Sequence, residues 1–154
     1  MTALDKGQLW VMRLHALGLS LVLLAAGAIG EAILRDKLDA PLGSVTLPLL
    51  LPVVWLLFFA PGRRYRAWGY RMEEDELEVH RGVLTRVETI VPLERVQHID
   101  IAQGPVERAC GVCRLIVHTA GTLHSQVVLP GLARETAETM RDAIRARIGK
   151  EEGA

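Results

Sequence analysis

No excess of either charge runs through this sequence: 18 basic residues are matched by 18 acidic ones. From Arg63 onward the balance is again level, 14 against 14, and no basic face carries interleaved aromatics. Both absences argue against nucleic acid as a partner. G-x-S-x-G, H-E-x-x-H and a phosphate-binding glycine loop are missing as well, so no nucleophile elbow, zincin helix or nucleotide cradle is legible. The reading therefore assigns no catalytic residue, metal ligand, cofactor or small-molecule substrate. Cysteine is scarce, occurring only as Cys110 and Cys113 in "VERACGVCRL".

Charge disappears altogether from two stretches, residues 14–30 and residues 40–62. As a helix the second run would reach roughly 34 Å, enough for a hydrocarbon core of about 30 Å. The first run crosses if Arg13 and His15 reach toward one headgroup layer and Glu31 toward the other. A cleaved signal peptide does not fit, because the apolar run starts late and "AILRDKLDAPLG" leads straight into another. The sequence thus predicts a transmembrane hairpin over residues 1–62, with spans at about 13–34 and 40–62 and "RDKLD" at 35–39 as its turn.

The flanks set the orientation. Arg63, Arg64, Arg66 and Arg71 follow the second run within nine residues, Lys6 and Arg13 precede the first, and the turn holds only Arg35 and Lys37. By the positive-inside rule both termini are cytoplasmic and the protein sits in the inner membrane as a multi-pass chain. The four arginines are candidate membrane-surface contacts. At about 1 kcal/mol each against an anionic leaflet they supply at most about 4 kcal/mol, so they orient the following module while the helices anchor it. The acidic "EEDELE" after Arg71 is a poor neighbour for a specific phosphoinositide pocket.

Within the spans, Ala16, Ser20, Leu23, Gly27 and Gly30 share a helical face whose small residues let another helix approach. The second helix of the hairpin is the simpler partner, a homodimer seam the sharper alternative. Pro48 and Pro52 kink a membrane helix or mark a re-entrant segment. His15 would suit a transport path only with a carboxylate partner at mid-depth.

From Arg66 the hydrophobic period changes to two. Leu77 and Val79, then Val83, Thr85, Val87, Thr89 and Val91, then Gln97, Ile99, Ile101 and Gln103 alternate along strands. "EEDE", the pair Arg81 and Gly82, and Pro92 with "LER" are the turns. "CRLIVHTA" is a further strand that turns at Gly121 into "HSQVVLPG". Ala133, Ala137, Met140, Ile144 and Ile148 then recur at helical spacing. The second domain, residues 63–154, is predicted as α+β: antiparallel strands in a strongly bent or barrel-like sheet, followed by one amphipathic helix.

Two spans followed by "DELEVHRGVLTRVETIVPLERVQHIDIAQGPVERACGVCRLIVHTAG" resemble the bacterial pleckstrin-homology-like membrane family, the YdbS-like or DUF304 proteins. The residues that carry the likeness are Arg81 and Gly82; Ile90, Pro92, Leu93, Arg95 and Gln97; Gln103, Gly104 and Pro105; and Arg108 with Gly111. The resemblance covers nearly the whole chain. It implies a PH-like fold, a bent antiparallel sheet capped by the terminal helix, and a binding or assembly module as opposed to an enzyme. The hairpin with its strand-rich domain makes the expected partners the lipid bilayer and either a second copy or a related membrane PH-like protein. The pattern places aliphatic or small residues at the two cysteine positions, so CGVC is not part of it.

The motif residues also have physical readings of their own. Gly82, Gly104 and Gly111 are expected to supply positive backbone angles, and Pro92 to stop strand pairing. Arg95, Gln97 and Arg108 exceed the hydrogen-bonding needs of a turn. An arginine fork there would clamp a phosphate or carboxylate, or would cap loop carbonyls and pair with Glu94, Glu107 or Asp100.

Cys110 and Cys113 leave the redox question. A reactive CxxC holds its first sulfur at a helix N-terminus, whereas here "RLIVHTA" reads as a strand. Zinc held by Cys110, Cys113, His118 and His124 fails on geometry, since residues five apart in a strand point to opposite faces about 17 Å apart. Buried packing is the simpler role. The leading expectation is a membrane-anchored, non-catalytic PH-like binding or scaffolding module, with a thiol redox protein and a small transporter component as alternatives.

Overall fold

A computed structural model of the chain describes residues 1–120 and 126–151, so the expected turn at Gly121 and His124 lie outside the described residues. The protein is α+β and divides into two compact units, Met12–Arg63 and a second made of Met1–Val11 with Arg64–Ala154.

The first unit is built from apolar helix. α1, Lys6–Leu38, begins at Asp5, whose carboxylate accepts the Gly7 N–H at 2.8 Å as a helix cap does. It ends at Asp39, in the left-handed region at φ 49°. The turn expected at 35–39 is therefore largely helix, and the connection runs over residues 39–45. Arg35 and Lys37 lie in the last turn of α1, where cations meet the negative end of the helix dipole. The break falls instead at Pro41 and Gly43, the latter at φ 91°, where a side chain would press on Leu47. Accordingly the second span opens with α2, Thr46–Phe58, and not at 40; α3, Ala60–Arg66, follows after Phe59. An uncharged run does not distinguish a loop from a helix, so the sequence alone does not place this boundary. Pro48 sits in the first turn of α2, where its missing N–H costs nothing, and only Pro52 is interior.

Lys6–Leu38 and Thr46–Arg66 are each long and apolar enough to cross a membrane, and only 17% of the most apolar stretch of each is buried. The core helix of a soluble domain would be mostly covered. On the small-residue face Ala16, Ser20 and Gly27 are buried, and a side chain at Gly27 would strike Leu49 of α2.

The second unit holds two antiparallel sheets. β1 Gly69–Met72, β2 Glu76–Arg81 and β3 Val87–Pro92 form the first, in that order. After a 3-10 turn at Leu93–Arg95, β4 Val96–Ala102, β5 Val112–Thr119 and β6 Gln126–Ala133 form the second. A short helix, α4 Pro105–Ala109, joins β4 to β5, and α5 Arg134–Glu151 closes the chain. Alternation decides what is buried: Leu77 and Val79 point inward while Glu76, Glu78 and His80 between them do not. These two meet Val91, Leu93, Val96, Leu115, Val117, Leu129 and Leu132 in one core. Ala137, Met140 and Ile144 of α5 cover it at helical spacing.

The N-terminal segment belongs to this unit. Thr2 and Tyr70 exchange backbone hydrogen bonds of 2.8 and 3.0 Å, the Asp5 N–H donates to the Gly131 carbonyl at 2.8 Å, and Leu4 lies in the core. Tyr65 Oη donates to the Leu4 carbonyl at 2.6 Å. Gly131, at φ 68°, leaves room that Gln8 fills; a Cβ there would come within 2.5 Å of it.

Candidate functional site

The two cysteines are separated by their backbone. Cys110 follows the last residue of α4, its N–H donating to the Val106 carbonyl at 3.0 Å, and Gly111 turns the chain with φ 71° into β5. Cys113 lies on the inward face of β5 with Leu115 and Val117 and is 1% exposed. Its thiol donates to the Leu132 carbonyl at 3.4 Å. Burial pushes this thiol above its ordinary range, with Arg134 acting in the opposite sense and Glu107 and Glu138 adding to the rise. Both cysteines are free thiols. Neither begins a helix, and Cys113 is held as the protonated, unreactive form.

The motif around residues 103–108 is a self-satisfied corner. Gln103 Nε2 donates to the Val112 carbonyl at 2.9 Å, and the Gly104 N–H donates to Glu107 Oε2 at 2.7 Å at the start of α4. The other oxygen of the buried Glu107 pairs with Arg114 at 3.2 Å. Two expectations are corrected here. Gly104 is extended, at φ −77°, and needs no glycine-only angle, because capping α4 requires a β-region residue. Among the described residues no ion pair joins Arg95 or Arg108 to Glu94, Glu107 or Asp100: Arg114, across the turn on β5, takes Glu107. Arg95, Gln97 and Arg108 are exposed. Gly82 does take a positive φ, 112°, and Pro92 does end β3.

The arginine cluster splits. Arg63 and Arg64 are exposed on α3, which also carries Arg66. Arg71 is in β1 and lies 3.3 Å from Glu73 and 3.9 Å from Glu78. The alternation of β1 thus gives it acidic neighbours.

The outward sheet faces hold two histidine clusters. On the first sheet His80 Nε2 lies 3.8 Å from Glu78 and 3.4 Å from Glu88, which stands opposite it on β3. On the second, Asp100 contacts His98 at 2.8 Å and His118 at 3.2 Å. Spacing alone reveals the pair His98 and Asp100; His118 joins only through the register that sets it opposite His98. An open cavity of about 780 Å³ is lined by Met72, Glu73, Glu74, Asp75, Glu76 and Arg147. Its acidic wall disfavours phosphate.

Between β2 and β3 the strand expected to run through Val83 and Thr85 is a loop, residues 82–86. Gly82 forces it, since a Cβ there would lie 1.9 Å from the Thr85 carbonyl oxygen. Leu84 is 95% exposed at its tip, Val83 and Val87 are exposed beside it, and Arg81 and Arg86 flank it.

The family described as "Bacterial PH domain" matches residues 15–148. UPF0699 transmembrane protein YdbS of Bacillus subtilis (strain 168) is 36% identical over 101 residues, 62% of this chain and 62% of that protein. UPF0699 transmembrane protein YdbT of the same organism is 26% identical over 103 residues, 66% of this chain and 20% of that protein. The chain thus spans about three fifths of the length of the first and a fifth of the second. No solved structure matches.

Proposed function

Because the chain belongs to the bacterial PH domain family and carries two long apolar helices that its own fold leaves uncovered, we propose that it is a two-span inner-membrane protein whose strand-rich unit is a non-catalytic assembly module. Its partner is a second copy or a related membrane PH-domain protein. The observation that carries this reading is the edge of β3. Among the described residues that strand pairs only with β2, and it exposes Val87 and Ile90. A free backbone edge with apolar side chains along it accepts an added strand. The similarity to both YdbS and YdbT, over different fractions of their lengths, fits a module used in more than one membrane chain.

Both termini are on the cytoplasmic side in this reading. Residues Met1–Val11 and Arg64–Ala154 form one compact unit, and one packed core cannot straddle a bilayer, so the chain crosses an even number of times between them. Arg63, Arg64 and Arg66 then lie at the inner leaflet. A reporter fused after Ala154 is expected to be cytoplasmic, and an external signal would overturn the orientation. Cross-linking in native membranes is expected to trap a dimer or a related partner, and Ile90→Lys to reduce that product while leaving the circular dichroism spectrum unchanged. A wild-type protein that stays monomeric and enriches no partner would rule assembly out.

A further inference from the structure

We propose that the β2–β3 loop, residues 82–86, is a lipid-binding tip that enters the headgroup layer of an anionic bilayer. The inference rests on the reading that the strand-rich unit stands at the membrane surface, and it names a contact separate from the arginines of α3.

Single exposed apolar side chains are ordinary on a protein surface. This group is different in being clustered and in its charge. Leu84 is 95% exposed, with Val83 and Val87 exposed next to it. Residues 81–87 read "RGVLTRV", with exposed arginines at Arg81 and Arg86 and no acid. An apolar tip between cations is the composition that partitions into an anionic interface: the side chain leaves water while the guanidinium groups stay among the headgroups. The tight return at Gly82, whose φ of 112° excludes other residues, turns the chain sharply at the base of this tip.

Strand register places the tip within the first sheet. Gly69 pairs with His80, and Arg81 with Val87, so the tip lies at the end of the first sheet where β1 begins. Only Ala67 and Trp68 separate β1 from α3 along the chain. The sheet's other end is the turn at Glu73, Glu74 and Asp75. The tip end of the sheet is therefore apolar and carries Arg81 and Arg86, with Glu88 one residue beyond it opposite His80; the other end carries Glu73, Glu74 and Asp75, the last two 3.7 and 3.1 Å from Arg147. An anionic surface attracts the first and repels the second, which orients the sheet tip-first.

The test uses the full chain in vesicles of neutral lipid with and without phosphatidylglycerol. Leu84→Cys and Glu74→Cys, each in a Cys110→Ser, Cys113→Ala background, carry an environment-sensitive fluorophore, and quenching by spin-labelled lipid is read. Position 84 is expected to be quenched severalfold more than position 74 in anionic vesicles. Replacing Arg81 or Arg86 by Gln lowers the ratio of inserted to free loops about fivefold each, the equivalent of about 1 kcal/mol per basic residue at an anionic surface. Equal quenching at 84 and 74 overturns the proposal, as does a position 84 shielded from aqueous quencher but untouched by lipid quencher, the signature of a protein partner. If the cysteine-free background does not fold, a photo-crosslinking amino acid at position 84 in the native chain decides by whether the adduct is lipid or protein. Cross-linking of the same samples separates the two readings: a monomer with lipid quenching at 84 rejects assembly and keeps the tip, and an assembled protein without it rejects the tip alone.

Discussion

At Gly82 a methyl group meets both a positive φ and the Thr85 carbonyl oxygen; at Gly111 it meets the positive φ alone; at Gly104 it meets neither. Gly82→Ala is expected to cost about 2–3 kcal/mol or more, Gly111→Ala about 1 kcal/mol, and Gly104→Ala little, when stability is followed by chemical denaturation. Cys113 gives a pH-dependent counterpart. Its folded thiol stays protonated above the ordinary value of 9.0, so its contribution to stability is present below that pH and is lost as pH rises toward the higher folded value. Tyr70, raised by burial and by Asp5 from an ordinary 10.0, acts in the same sense at higher pH. Denaturation midpoints taken from pH 8 to 10 should fall for the wild type and fall less for Cys113→Ala. A thiol reagent should label Cys110 in the native state well before Cys113. The inward position of Cys113 could be anticipated from its parity with Leu115 and Val117. The acceptor for its thiol, on another strand, could not.

Among elements, the sequence was most readable where a pattern repeats. Leu77 and Val79 announced β2, and Ala137, Met140 and Ile144 announced the buried stripe of α5. Ile144→Ala is expected to cost about 2–5 kcal/mol in a denaturation experiment. Elements held by one specific contact were hidden. α4 has five residues, too few for a period to show, and it depends on Glu107 accepting the Gly104 N–H. The start of α2 is equally local in cause. Buried Glu31 of α1 accepts hydrogen bonds from the Gly43 N–H, the Thr46 N–H and the Thr46 hydroxyl. Glu31→Ala removes the acceptor of all three bonds and should loosen the hairpin. Thr46→Val should cost less, because it removes one donor of the three. Helix-hairpin stability in detergent is the measurement. Position alone marks Glu31 as a residue at a helix end, and nothing in its neighbours' spacing indicates that Thr46, fifteen residues on, is its partner.

Across the whole molecule, residues 1–11 were the least legible part. "MTALDKGQLW" carries neither alternation nor an apolar stripe, yet it supplies Leu4 to the core, a strand-like bridge to Tyr70 and a close packing of Gln8 on Gly131. Gly131→Val, by removing the space Gln8 occupies, should weaken this docking and expose the first residues to protease while the two sheets remain folded; limited proteolysis followed by terminal sequencing reads it directly. The same arrangement makes the strand-rich unit discontinuous in sequence: its two parts are separated by the whole of Met12–Arg63. During synthesis the first part emerges long before the second, and Leu4 has no pocket until β1 and the core that follows it have been made. Closing so long a loop is slow compared with local folding. In the two-span reading proposed above, completion of the module would report that both helices have been inserted, and a chain whose second helix fails to insert would be left with its beginning and end on opposite sides and its core unfinished, open to degradation.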